Sequence, residues 1–189
     1  ALNADNLKRR LAYSTVSQLA YVVMATAVLA PLSVIGAVLH IAAHALGKIT
    51  LFFAAGAIYT AAHKTEVSQL DGIGRRMPWT MGAFTVGALS LIGIPPLAGF
   101  LSKWMMFQGA AQAGNGMALA VLALSTLLNA AYFLPIVYAA FWRAPREGDA
   151  PHGEAPWPSV AALVVTAAAT IALPFASAVP LALARAVGG

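Results

Sequence analysis

Gly93-Ile94-Pro95-Pro96-Leu97-Ala98-Gly99-Phe100-Leu101-Ser102-Lys103 lies inside an apolar stretch long enough to cross a membrane. Each proline lacks the N–H that a helix interior needs, and its ring clashes with the preceding turn, so Pro95 and Pro96 cannot continue a regular helix. Lys103 follows in the same stretch, which contains no acid. A lysine in hydrocarbon costs ~3 kcal/mol even on lenient scales, and such residues mark ion or proton paths. Broken helices beside buried charge are how transporters build ion sites near the bilayer midplane. Snorkelling to the interface is the plain alternative for Lys103. The adjacent break, at Pro95, Pro96 and Gly99, favours a proton- or cation-handling role.

The composition agrees. The chain is 60% hydrophobic and 9% charged, with a mean hydropathy of +0.79. Soluble domains carry about 25% charged residues, so this reads as an integral membrane protein. Cysteine is absent, which excludes disulfides and thiolate metal sites. The net charge of +5 is no nucleic-acid signal, because the basic residues lie mostly at helix ends. The chain does not begin with Met and residues 1–10 form no apolar signal core. It is expected to be a piece of a longer protein.

A spanning helix needs ~20 mainly apolar residues. Segments 11–30, 32–61, 79–109, 116–142 and 157–185 qualify, rich in Ala and Leu and without the alternation of an outer-membrane barrel. The expected fold is all-α: a polytopic membrane protein with five transmembrane helices, one of them broken. Lys8, Arg9 and Arg10 precede the first span; Lys64, Arg75 and Arg76 separate the second and third; Arg143 and Arg146 follow the fourth. Cationic loops stay cytoplasmic. The N-terminal end is therefore expected inside and the C-terminus outside, with Arg185 as a lone outward cation. The second span would measure ~45 Å as one straight helix. It must tilt, protrude or break, and Gly47 is the expected weak point.

His40, His44 and Lys48 recur every fourth residue, which stacks them on one helix face about 6 Å apart. Such a stripe can relay a proton with bridging water; the alternative is packing through hydrogen bonds to a neighbouring helix. A zinc site is disfavoured, because no catalytic Glu lies between the histidines and no carboxylate lies within a span. Haem is disfavoured because both histidines lie on one helix. No metal or cofactor is expected. Ser14, Thr15, Ser17 and Gln18 in the first span either pack against neighbours or line water. With lysines but no acids in the spans, any partner carboxylate must come from elsewhere in the parent protein or from another subunit.

Three motifs carry a family resemblance: Leu11-Ala12-Tyr13-Ser14-Thr15-Val16-Ser17-Gln18, then His40-x3-His44-x3-Lys48, then Gly93-Ile94-Pro95-Pro96-x2-Gly99-Phe100-x-Ser102-Lys103. In this order and spacing, over roughly residues 5–145, the chain resembles the antiporter-like membrane subunits. These include the Mrp-type sodium/proton antiporters and the proton-pumping subunits of NADH-quinone oxidoreductases and related hydrogenases. The ending His152-Gly153-Glu154-Ala155-Pro156-Trp157 looks most like the D subunit of the Mrp type.

The resemblance implies that the chain is the later part of the second of two inverted repeats plus the last helix. Residues 1–145 would form the proton-translocating membrane domain, and 146–189 a cytoplasmic linker with a C-terminal helix. Lys103 would carry the proton, and His40, His44 and Lys48 would belong to the hydrated axis. The implied partners are other membrane subunits of a hetero-oligomeric complex in a bacterial inner membrane. Protons, and Na+ or K+, would be the ions moved. The alternative within the family is a redox-driven pump subunit, and an enzyme active on its own is not expected.

Overall fold

The computed structural model describes residues 1–146 and 151–176, with residues 178, 181, 182 and 186 beyond them. Arg185, the far end of the expected last span, and linker residues 147–150 lie outside the described residues. The described residues form helices and loops with no strand. The helices are α1 (Leu7–Ala27), α2 (Pro31–Ala62), α3 (Pro78–Ile92), α4 (Ala98–Gln112), α5 (Gly116–Trp142) and α6 (Trp157–Ala172).

Local chemistry sets the helix ends. Asn6 caps α1 by accepting from the Arg9 N–H at 3.0 Å, and Asn115 caps α5 through the Ala118 N–H at 3.0 Å. Pro31 and Pro78 open α2 and α3, where a missing N–H costs nothing. His63 and Gly93, both left-handed, close them. Two helices, α2 and α5, are long and apolar enough to cross a membrane by length and composition.

The expected segment 79–109 divides at a cis Pro95–Pro96 bond into α3 and α4. The expected weak point at Gly47 is not one: α2 runs unbroken for 32 residues. Gly47 is there for contact. A Cβ on it would lie 3.0 Å from Leu91 Cδ2, and one on the facing Gly87 would lie 3.1 Å from the Gly47 carbonyl oxygen. In lipid, where apolar burial drives helix association little, such close small-residue crossings supply the packing.

α2 is central and packs against α1, α3, α4 and α6. Its later half, with Leu51, Ala54, Ala55 and Ile58, joins α3, α5 and α6 in the main apolar cluster. Its first half meets Tyr21, Met106 and Leu122 in a smaller one. The polar positions 40–48 fall between the two.

The described acids all lie outside the helices, at the end where α1 starts and α2 finishes. Asp5 accepts from Ser68 Oγ at 2.7 Å and from its N–H at 2.9 Å. These donors, the hydroxyl first, hold its carboxyl below the usual aspartate value. Asp71 meets Arg143 at 3.2 Å and Arg146 at 3.8 Å. Glu154 straps the linker to α3. It accepts the Trp79 N–H at 2.7 Å, the Thr80 N–H at 3.3 Å and the Thr80 hydroxyl at 2.6 Å. A carboxylate on the first N–H groups of a helix answers both their missing partners and the helix dipole. Glu154→Ala is expected to destabilise the protein by ~1–2 kcal/mol. Thermal unfolding of the purified full-length parent would show this as a lower midpoint; an unchanged midpoint would reduce the strap to an incidental contact.

Candidate functional site

A helical N–H bonds the carbonyl four residues back. Pro95 and Pro96 have no N–H, so Leu91 O and Ile92 O lose the partners a continuous helix would supply. Lys103 takes their place: its Nζ donates to Leu91 O at 2.7 Å and to Ile92 O at 3.0 Å. The lysine on α4 thus folds back onto the carbonyl end of α3, the negative end of that helix dipole. Its Nζ also lies 5.0 Å from the centre of the Tyr21 ring, in cation–π range. Lys103 is 3% exposed, which removes plain snorkelling as its description.

Gly99 makes this approach work. Its N–H donates to Ser90 Oγ at 3.1 Å, and a Cβ at position 99 would stand 1.9 Å from the Ser90 carbonyl oxygen. The start of α4 therefore touches the end of α3 backbone to backbone, and Lys103, one turn on, reaches back to the break.

From Lys103 the hydrogen bonds continue to α1 and α2. Gln18 Nε2 donates to the same Leu91 O at 3.2 Å, and its Oε1 lies 2.9 Å from His40 Nε2. His40 Nδ1 lies 2.9 Å from Ser102 Oγ, which also lies 3.1 Å from Gly99 O. Gln18 Oε1 can only accept, so His40 carries a proton on Nε2. With neutral His40, the Ser102 hydroxyl donates to Nδ1. With His40 protonated on both nitrogens, the hydroxyl turns and donates to Gly99 O instead. Both states of the imidazole are satisfied by one rotation, an arrangement suited to a proton that comes and goes.

The stripe behaves differently beyond His40. The His44 ring is 6.1 Å from that of His40, and its buried Nε2 has no partner. Lys48 turns towards the start of α1, donating to Leu11 O at 2.8 Å and to Ser14 Oγ. Ser14, Thr15, Ser17 and Gln18 of α1 separate in role. Ser14 meets Lys48, and Gln18 bridges His40 to the break. Half-buried Ser17 lines a cavity of about 810 Å³ with Arg9, Tyr13, Ser125 and Tyr132. Thr15 turns its hydroxyl onto Leu11 O at 3.1 Å, within its own helix.

Further buried polar groups on α5 were not picked out from the sequence. Asn129 Nδ2 donates to Tyr21 Oη at 2.8 Å, and the Tyr132 hydroxyl donates to Asn129 Oδ1. The Tyr132 hydroxyl also neighbours Ser14 and Gln18. Asn129 and Tyr132, one turn apart in a mostly apolar helix, were the available signal. Among the described residues no group of His, Cys, Asp and Glu is placed to hold a metal ion.

The sequence matches the NADH:quinone oxidoreductase/Mrp antiporter transmembrane family over residues 1–129. It is 45% identical over 141 residues to NADH-quinone oxidoreductase subunit N of Desulforudis audaxviator, covering 75% of this chain and 28% of that one. It is 32% identical over 190 residues to hydrogenase-4 component B of Escherichia coli, covering 89% and 28%. Among solved structures, a chain of the Mrp complex from Dietzia sp. superposes with a TM-score of 0.89 at 22% identity, over 99% of this chain and 43% of that one. The chain therefore spans less than half the length of each.

Proposed function

The chain belongs to the NADH:quinone oxidoreductase/Mrp antiporter transmembrane family, and from that we propose that it forms the later part of a proton-translocating membrane subunit. Lys103 is the proton carrier, and His40, joined to it through Gln18 and the Leu91 carbonyl, is its neighbour on the path. His44 and Lys48 extend the path along α2, with water bridging where no direct bond exists. The observation that carries this reading is the hydrogen-bonded join of a buried lysine and a buried histidine at a helix break, with no acid in any described helix.

We read α1, α2, the α3–α4 pair, α5 and α6 as five crossings, with residues 1–145 as the translocating domain and the rest as linker and last helix. The N-terminal end is cytoplasmic. Arg9 in the first turn of α1, with Arg143 and Arg146 on Asp71 beyond the end of α2, supports this by the positive-inside tendency. The membrane is the inner membrane of a bacterium, and the partners are other membrane subunits. One of these, or the rest of the parent chain, supplies the carboxylate that Lys103 lacks here. Large exposed apolar side chains such as Val16, Val23, Leu124 and Leu127 support burial against lipid or such subunits.

The drive separates two readings. Our first is exchange of protons for Na+ or K+, supported by the fold shared with a Mrp complex chain. The second, a redox-driven pump subunit, is supported by the 45% identity to a quinone oxidoreductase subunit. Inverted vesicles holding the full-length parent in its complete complex would decide. Proton flux on adding sodium or potassium supports the antiporter, and flux only on adding NADH or another reductant supports the pump. Flux with neither would remove both.

A further inference from the structure

Leu91 O and Ile92 O are two carbonyl oxygens at a helix C-terminus, deprived of their partners by Pro95 and Pro96 and buried with the face of Tyr21 nearby. Oxygens of this kind strip and hold monovalent cations where a helix is interrupted inside a membrane protein. In this structure they hold the Lys103 amine, which is a tethered cation when protonated, at 2.7 and 3.0 Å. An ammonium group and a potassium ion carry the same charge, are close in size and are both held by carbonyl oxygens, the first by directed N–H bonds and the second by a shell of oxygens that water can complete.

A second observation concerns where the amine goes when it leaves. A pocket of about 200 Å³ adjoins the break, lined by Ile92, Gly93, Phe100, Lys103, Phe107 and Thr126 among others. The Thr126 hydroxyl on its wall is shielded from solvent and has no hydrogen bond of good geometry, with Tyr21 Oη close enough to interact weakly. A neutral amine has a lone pair that can accept from this hydroxyl, and an ammonium has none. Facing Lys103 are Tyr21 from α1, His40 from α2 through Ser102 and Gln18, and Thr126 from α5. No carboxylate faces it among the described residues.

We propose that the Leu91–Ile92 carbonyl pair is a monovalent-cation site of K+ or ammonium size, which the Lys103 ammonium and a free cation occupy by turns. The exchange balances. One N–H bond of the Lys103 ammonium breaks and the proton passes to water. The electron pair stays on nitrogen, the neutral amine swings to Thr126, and one cation enters, so the site keeps a single positive charge. The inference rests on Lys103 as proton carrier and adds that cation and proton exclude one another at the same two oxygens.

The test uses the complete complex carrying the full-length parent, purified, in weak buffer, titrated with KCl against N-methylglucamine chloride. Wild type is expected to release protons on potassium addition. Lys103→Ala is expected to bind rubidium or potassium at least tenfold more tightly by equilibrium binding, and to release about one proton fewer per complex. Thr126→Val, which leaves the carbonyls and Lys103 in place, is expected to weaken the potassium-dependent release and so covers a Lys103→Ala complex that does not assemble. Equal binding and equal release across wild type and variants would overturn the proposal. If flux in vesicles depends on Lys103 but binding and release do not, the cation site falls and the proton-carrier reading stands. If binding responds to the variant but flux does not, the carrier reading falls.

Discussion

Lys103→Ala in the full-length parent is expected to lower driven proton flux by about a hundredfold, the lower range for loss of a positioned proton-transfer group. Loss of structure alone can imitate this result, because the variant leaves Ile92 O without its donor and Leu91 O with Gln18 Nε2 alone. The orphaned Ile92 carbonyl costs ~1–3 kcal/mol. Lys103→Arg separates the two roles. Arginine keeps a positive charge and N–H donors for the carbonyls, but it does not deprotonate in proteins. The Arg variant is expected to assemble with near-native stability and to remain as inactive as the Ala variant. Recovery of flux by arginine would show that position 103 holds the break together and carries no proton.

Gly99→Ala is expected to disrupt the protein more broadly. The added methyl would sit 1.9 Å from the Ser90 carbonyl oxygen and 2.8 Å from its carbon. Neither is the end of a flexible side chain, so the end of α3 and the start of α4 must part. Overpacking of this kind costs ~1–3 kcal/mol, and loss of the Gly99 N–H bond to Ser90 adds ~1 kcal/mol more. Parting the helices also draws Lys103 away from its carbonyls. The yield of assembled complex, its thermal midpoint and its proton flux should all fall together. Ser90→Ala is the matched control: it removes one hydrogen bond without a clash and should cost only ~1 kcal/mol. A Gly99→Ala complex as stable as wild type would mean that the two half-helices are not in contact as described.

The break was legible from sequence because proline acts locally: two missing N–H groups stop a helix wherever they stand. The stripe of His40, His44 and Lys48 was legible for a similar reason, since a spacing of four puts residues on one face whatever surrounds them. Gly47 was misread. A glycine in a long helix serves as a weak point or as a contact, and only the neighbour decides; here Leu91 and Gly87 do. The acceptors of Lys103 are backbone groups and carry no residue signature. Counting back four from each proline names them, but nothing in the sequence says that Lys103 returns to fill them. Asn129 and Glu154 depend on contacts over 100 and 70 residues away respectively, with Tyr21 and with the start of α3, which one sequence does not disclose.

The unbroken α2 gives the protein an uneven stiffness. His40, His44 and Lys48 ride on a single rod whose hydrogen-bond ladder is complete from end to end. Lys103 hangs instead from a seam where the ladder has lost two rungs. A push delivered by a neighbouring subunit yields first at the seam, because bending α2 would strain a full set of backbone bonds. The spacings within the stripe are therefore the stiff ones, and the gap between Lys103 and the rod is the compliant distance. The molecule is built as a fixed rail with one sprung contact, and on the proposed path a small mechanical displacement there would open or close the connection between Lys103 and the stripe.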